Sequence, residues 1–191
     1  MISPRTEEML RRGAGVLRRT APGPMLFRLT ALLAGTAALV LALAGPMRGN
    51  PWTYVVVLAV ALIPAVRPGG PWVTVVELGT AGLWVFGDLV YREGRGIAGA
   101  LVLGALLYLH HSACALAAAL PNDGRLGPGV LIGWLTRTGV VLLGTAALTV
   151  VVVLVLPPAG TGHGGALFPA LGMFAAVAAG VAVAYLLHRR R

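Results

Sequence analysis

The sequence predicts an all-α, polytopic integral membrane protein, a bundle of about six transmembrane helices joined by short loops. Hydrophobic residues make up 58% of the 191-residue chain, whereas charged residues make up only 11%. The mean hydropathy is +0.86. A soluble domain is usually about 45–50% apolar and about 25% charged. The second observation is that long apolar stretches alternate with short turns rich in proline, glycine and arginine.

The apolar stretches define the predicted transmembrane domain, residues 26–188. About 20 apolar residues at 1.5 Å each cover the roughly 30 Å hydrocarbon core as a helix. The second stretch is short and contains Pro64, and the fifth ends in a β-branched run whose continuity with a spanning-length segment favours helix. The predicted spans are 25–44, 51–66, 72–91, 97–120, 130–156 and 166–187.

Arginine placement predicts the orientation. All fifteen basic residues are arginine and give a net charge of +9. Six spans place the Arg-rich N-terminal segment and the tail 189–191 on one side, which the positive-inside rule assigns to the cytoplasm. Arg92 and Arg95 fit this topology least well, because they fall in an external turn. Abundant Ala, Gly, Val and Leu without Lys suggest a GC-rich bacterial genome, and hence the bacterial cytoplasmic membrane. The same membrane character argues against nucleic acid as the partner of this basic chain.

Residues 1–25 precede the first complete span and carry much of the positive charge. Two interpretations remain open: an amphipathic basic helix on anionic lipid of the cytoplasmic leaflet, or a disordered basic tail that only fixes orientation. Residues 42–44, Ala-Leu-Ala, match a signal-peptidase site superficially. The long N-terminal region and wide apolar run favour an uncleaved anchor.

Polar side chains inside the spans are the candidate functional residues, because titratable groups at such depth are costly and face protein or water rather than lipid. Glu77 and Asp88 are eleven residues apart, so both lie on one face of the third span. Glu77 and Arg137 are expected at similar depths from the cytoplasmic side, which predicts an ion pair. The candidate cluster is Glu77, Asp88, His110, His111, Cys114 and Arg137.

The two adjacent histidines favour a structural role over a metal site. Neighbouring residues on a helix point about 100° apart, so His110 and His111 cannot share one metal. His110 and Cys114 are four apart and could, but a site would need ligands from other helices. Hydrogen bonding between helices is the favoured interpretation. We therefore expect no metal, no bound cofactor and no catalytic residue.

Two further motifs indicate packing and a loop. Residues 160–165 match G-x-G-x-x-G, but a span and two prolines precede them and no acidic residue follows, so they are interpreted as a flexible external loop. The sixth predicted span carries a small residue at every fourth position, which lets a neighbouring backbone approach closely. This predicted packing face is Gly172, Ala176, Gly180 and Ala184.

Three classes of function fit these features. A non-enzymatic subunit or scaffold of a membrane assembly is favoured, since the loops are too short for an extramembrane catalytic domain. Its expected partners are the bilayer, other membrane proteins or further copies of the chain. A small transporter or channel is the alternative, using Glu77, Asp88, His110, His111 and Arg137. An intramembrane enzyme or redox protein is least favoured, because the sequence holds no complete site.

Overall fold

The computed structural model describes residues 22–120 and 127–155, and this part of the chain is all-helical. Its helices are α1 (Pro22–Ala42), α2 (Gly45–Arg48), α3 (Pro51–Val66), α4 (Trp72–Tyr91), α5 (Gly96–Ala119) and α6 (Pro128–Val155). A helix occupies each of the first five predicted segments, with ends within three residues of those expected. The predicted sixth segment, its small-residue face, the basic N-terminal segment and the loop 160–165 lie outside the described residues.

Four of these helices have the length and apolar character needed to cross a membrane: Gly23–Ala42, Trp72–Tyr91, Gly96–Ala119 and Pro128–Val151. They indicate a membrane-associated protein. Helix α3 is equally apolar but has 16 residues, which cover only about 24 Å at 1.5 Å per residue. The second predicted span is therefore a helix shorter than the roughly 30 Å hydrocarbon layer.

Turn residues explain where the helices begin and end. Pro51 opens α3 at a position whose N–H has no intrahelical partner. The side chain of Asn50 caps that helix by accepting the N–H of Trp52 at 3.0 Å. Arg92 follows the last residue of helix α4 and adopts a left-handed backbone conformation with φ of 51°. The turn between α4 and α5 then uses Gly94, whose φ of 57° suits a residue without a Cβ.

The described chain falls into two units, 1–142 and 143–191. Within the first unit, α1 is the central helix and packs against α3, α4 and most extensively α5. In the second unit the structure describes the last part of α6, where Thr149 donates a hydrogen bond to the carbonyl of Thr145 at 2.9 Å.

Helix α1 separates large from small side chains. Leu39 and Leu43 pack with Val57, Ala61 and Val76 of α3 and α4. Small residues line the side toward α5, so the two backbones can approach closely. They are Ala31, Gly35, Ala38 and Ala42. These four residues are separated by four, three and four positions, unlike the strict fourth-residue spacing predicted for the sixth span.

Candidate functional site

The six candidate polar residues lie in four separate places. His110 and Cys114 are buried where α5 meets α1. Glu77 and His111 form a pair between α4 and α5. Asp88 lies near the end of α4, and Arg137 is exposed on α6. The structure therefore does not gather them into one cluster.

His110 is fully buried and joins α5 to α1. Its Nδ1 lies 2.8 Å from the carbonyl oxygen of Ala31. Since a carbonyl can only accept, Nδ1 carries the proton and donates this bond. The ring packs so closely on α1 that a Cβ at Gly35 would lie 2.7 Å from Nδ1. Gly35 thus creates the space for the histidine, and the bond satisfies a buried polar group that would otherwise destabilise the fold.

Cys114 extends the polar contact by one helical turn. Its Sγ lies 3.9 Å from Nε2 of His110. With the proton on Nδ1, Nε2 is an acceptor, so the thiol is the donor of a weak hydrogen bond. The thiol is free and buried, among Ala31, Val73 and Ala113 with Trp134 of α6 against them. The described residues contain no group of three or more His, Cys, Asp or Glu side chains that could hold a metal ion.

Glu77 and His111 form the most exposed polar pair on the long helices. Nδ1 of His111 lies 3.1 Å from one carboxylate oxygen of Glu77 and 3.2 Å from the other. The His111 side chain is 59% exposed, and that of Glu77 is 19% exposed. The expected partner of Glu77 was Arg137, and that prediction is wrong: the carboxylate pairs with the adjacent helix α5. Equal depth along the membrane normal does not fix which helices are neighbours, and α4 and α5 supply the contact.

Asp88 belongs to the turn between α4 and α5. One of its carboxylate oxygens accepts the backbone N–H of Arg95 at 3.3 Å. It lies on the same helix as Glu77 but eleven residues, or about three turns, beyond it. The helix geometry that puts the two acids on one face therefore does not bring them into one site.

A second polar centre, which the sequence did not reveal, lies at the C-terminal end of α1. The guanidinium of Arg95 donates to the carbonyls of Ala42 at 3.0 Å and Leu43 at 2.8 Å. Carbonyls at a helix C-terminus have no intrahelical partner and carry the negative end of the helix dipole. Arg95 therefore caps α1 from the α4–α5 turn. Its guanidinium also lies 4.6 Å from the ring centroid of Trp84, within cation–π range.

Glu93 connects the parts of this centre. It accepts the backbone N–H of Gly45, pairs with Arg95 at 2.6 Å and with Arg48 at 3.5 Å. The Gly45 hydrogen bond, followed by that of Arg95, holds the pKa of Glu93 below its ordinary value. Arg48 also donates to the Leu43 carbonyl at 3.1 Å. Arg48 and Arg95, two of the three arginines in turns that the predicted topology places outside, thus share one local counter-charge, whereas Arg92 has no ion pair among the described residues. The single acid in the 92–95 turn is the only sequence feature that pointed to this centre.

Helix α6 contributes an aromatic contact and two unsatisfied polar atoms. Trp134 packs edge-to-face on Phe27 of α1, with ring centroids 5.3 Å apart. Trp134 Nε1 and Thr138 Oγ1 are buried without a hydrogen-bond partner. Buried donors are usually bonded to protein or ordered water, so these two atoms are exceptions within the described part of the chain.

Comparison of the chain with protein-family models, with curated proteins and with solved structures gives no match.

Proposed function

We propose that the protein is a non-enzymatic subunit or scaffold of a membrane assembly in the bacterial cytoplasmic membrane. The proposal includes six spans with both termini in the cytoplasm. Its partners are other membrane proteins or further copies of this chain. The four long apolar helices support the membrane setting, and the lateral surface of the bundle supports the assembly role.

The Glu77–His111 pair is the observation that carries this proposal. Glu77 lies five residues from the start of α4, and His111 lies eight residues from the end of α5. These positions are about 8 Å and 12 Å along the helices at 1.5 Å per residue. Both side chains are thus within the apolar layer, yet the imidazole is largely exposed. Polar groups at this depth are stabilised by a protein neighbour, and a helix of a partner subunit provides one.

The exposure of α6 supports the same proposal. Within the first unit, its residues Ile132, Leu135 and Val140 are 54–64% exposed. Arg137, nine residues into α6, is exposed and has no ion pair within the described part of the chain. A helix that carries a cation at this depth and buries so little surface is suited to contact a partner.

The test is the size of the assembly extracted from native membranes in polymer-bounded lipid discs. The double variant Glu77→Leu/His111→Leu removes the polar pair and keeps an apolar surface. We expect it to migrate as a smaller species than the wild type. The control is Leu89→Ala, which trims a residue of α4 that is 68% exposed. A wild type of single-chain size, or equal sizes for wild type and double variant, would overturn the proposal.

The proposed topology has a separate test. Reporters fused after Arg191 and in the loop near His163 should report opposite sides of the membrane. If both report the same side, six spans with internal termini are wrong, whatever the assembly test gives.

A small transporter or channel is the second candidate, and the same pair favours it. Among the five residues expected for that role, only Glu77 and His111 contact each other. Paired acid and histidine side chains within spans are typical of proton relays. Proton flux into liposomes that depends on the protein and is lost in Glu77→Gln would support this candidate. The scaffold proposal expects no such flux.

A further inference from the structure

An apolar groove lies between the end of α3 and the start of α4. It is lined by Ala59, Leu62, Ile63, Val66, Arg67 and Trp72. All but one of the lining side chains are apolar or aromatic, and Leu62, Val66 and Trp72 are 47–57% exposed. The groove lies at the turn between two apolar helices, and such turns are expected at the edge of the apolar layer. Trp72, at the first position of α4, has the amphipathic ring that is enriched at this boundary.

Arg67 is the cation at the mouth of the groove. It follows the last residue of α3, and its backbone is fixed because its N–H donates to the carbonyl of Ile63 at 2.9 Å and its carbonyl accepts the N–H of Gly70 at 3.3 Å. The guanidinium is exposed and has no ion pair in the part of the chain that the structure describes. The turn that carries Arg67 thus has a defined backbone, and the described residues supply no acid to its side chain.

The acids of the described residues are already engaged. Glu77 pairs with His111, and Glu93 pairs with Arg48 and Arg95. Asp88 accepts the backbone N–H of Arg95. The counter-charge that complements Arg67 must therefore come from outside this part of the protein. Arg67 itself lies next to the apolar surface of the groove.

We propose that this groove binds an anionic phospholipid, with the phosphate on Arg67 and an acyl chain along the apolar lining. A guanidinium binds phosphate oxygens through two parallel N–H bonds, and the apolar side chains of the groove offer contacts to an acyl chain. An anionic headgroup is favoured over a zwitterionic one, because no carboxylate lies among the lining residues to receive an ammonium group. This site is distinct from the expected attraction of residues 1–25 to anionic lipid, and it does not depend on the assembly role.

The test measures lipid retention by native mass spectrometry of the full chain in detergent, titrated with phosphatidylglycerol or phosphatidylcholine. The wild type should retain phosphatidylglycerol in preference. Arg67→Gln should weaken that retention about fivefold, the factor expected for one basic residue at an anionic lipid surface. Arg67→Lys should restore part of it. Arg92→Gln removes an exposed arginine from the opposite turn and is the matched control, with an expected change below about twofold.

The apolar part of the groove has its own variant. Ala59 is exposed in the groove, so Ala59→Trp should fill it and reduce retention of both lipids without changing the charge. Lipid retention is compared only for variants whose unfolding temperature lies within a few degrees of that of the wild type. If Arg67→Gln unfolds, Arg67→Lys takes its place. Equal losses in Arg67→Gln and Arg92→Gln would overturn the proposal. Unchanged retention in Ala59→Trp, or full displacement by inorganic phosphate, would also overturn it.

Discussion

His110 and His111 are adjacent in sequence, yet the structure gives them opposite surroundings. His110 is fully buried, donates to the Ala31 carbonyl and lies against Gly35. His111 is 59% exposed, and its Nδ1 pairs with the carboxylate of Glu77. The first histidine is part of the packing between α1 and α5. His111 contributes little to the packing between α1 and α5. Its exposed ring can therefore interact with a partner protein or exchange a proton.

The comparison shows what a polar side chain needs in order to stabilise a membrane bundle. His110 has a hydrogen-bond acceptor on the facing helix and a glycine that admits its ring. Arg95 meets the same two conditions at the other end of α1, because it donates to two free carbonyls and packs against Gly87, where a Cβ would lie 2.5 Å from Nη2. His111 lacks the enclosing backbone. Enclosed polar residues such as His110 and Arg95 stabilise the fold. Exposed ones such as His111 are the better functional candidates.

Gly35→Ala should give the largest loss of stability. Its methyl group would overlap a buried, hydrogen-bonded ring, and overpacking of this kind costs about 1–3 kcal/mol. Gly104→Ala is the matched control on α5, since nothing lies within 4 Å of its Cβ position. It should be neutral or slightly stabilising. Thermal unfolding in detergent measures both, and equal losses would mean that His110 does not pack on Gly35 as described.

His110→Leu should destabilise the bundle by about 1–2 kcal/mol, because it removes a buried hydrogen bond while keeping most of the volume. His111→Leu should change the unfolding free energy by less than about 0.5 kcal/mol.

The double variant Gly35→Ala/His110→Ala relieves the overlap between the new methyl group and the ring. Its loss of unfolding free energy should therefore be smaller than the sum of the losses in the two single variants. Additive costs would show that the two positions do not interact.

Glu93 should make the stability of the α1 end depend on pH. Its folded pKa lies below the ordinary value, so its contribution is complete above the ordinary pKa of about 4.3 and is lost as the pH falls through the lowered one. The unfolding temperature of the wild type should therefore fall more steeply on acidification than that of Glu93→Gln. At neutral pH, Glu93→Gln should be the less stable of the two. Arg92→Gln in the same turn should keep the wild-type slope. Parallel curves for wild type and Glu93→Gln would contradict the proposed role.

The smallest effect is expected for the pair Glu77–His111. In a double-mutant cycle with Glu77→Gln and His111→Gln, the coupling in the isolated protein should be below about 1 kcal/mol, as for other partly exposed pairs. A coupling of several kcal/mol would mean that the pair is a structural element like His110, and the comparison between the two histidines would fail.

The sequence was sufficient to predict the all-helical class, the long apolar character of the helices and the positions of the first five helical segments. Spanning-length apolar runs end at proline, glycine and arginine turns, and each α-helix satisfies its own backbone hydrogen bonds, so its limits depend on local residues. The 100° step between neighbouring residues also indicated that His110 and His111 would face different surroundings. The Glu77–Arg137 pair was not predictable in this way, because depth along a helix says nothing of which helix lies beside it.

Only the tertiary structure decided which polar residues are buried in contacts between helices. In the sequence, Gly35 is one of many small residues of α1, and only the structure shows that His110 packs against it. Likewise, Arg95 is one of three arginines in predicted external turns, and only the structure shows that it contacts the end of α1. The physical reason is that these contacts join residues far apart in sequence: Arg95 and Ala42 are 53 positions apart, and His110 and Ala31 are 79 apart. Periodicity and turn residues determine each helix separately, whereas the side-chain space and unpaired carbonyls that select partners exist only once the helices are packed.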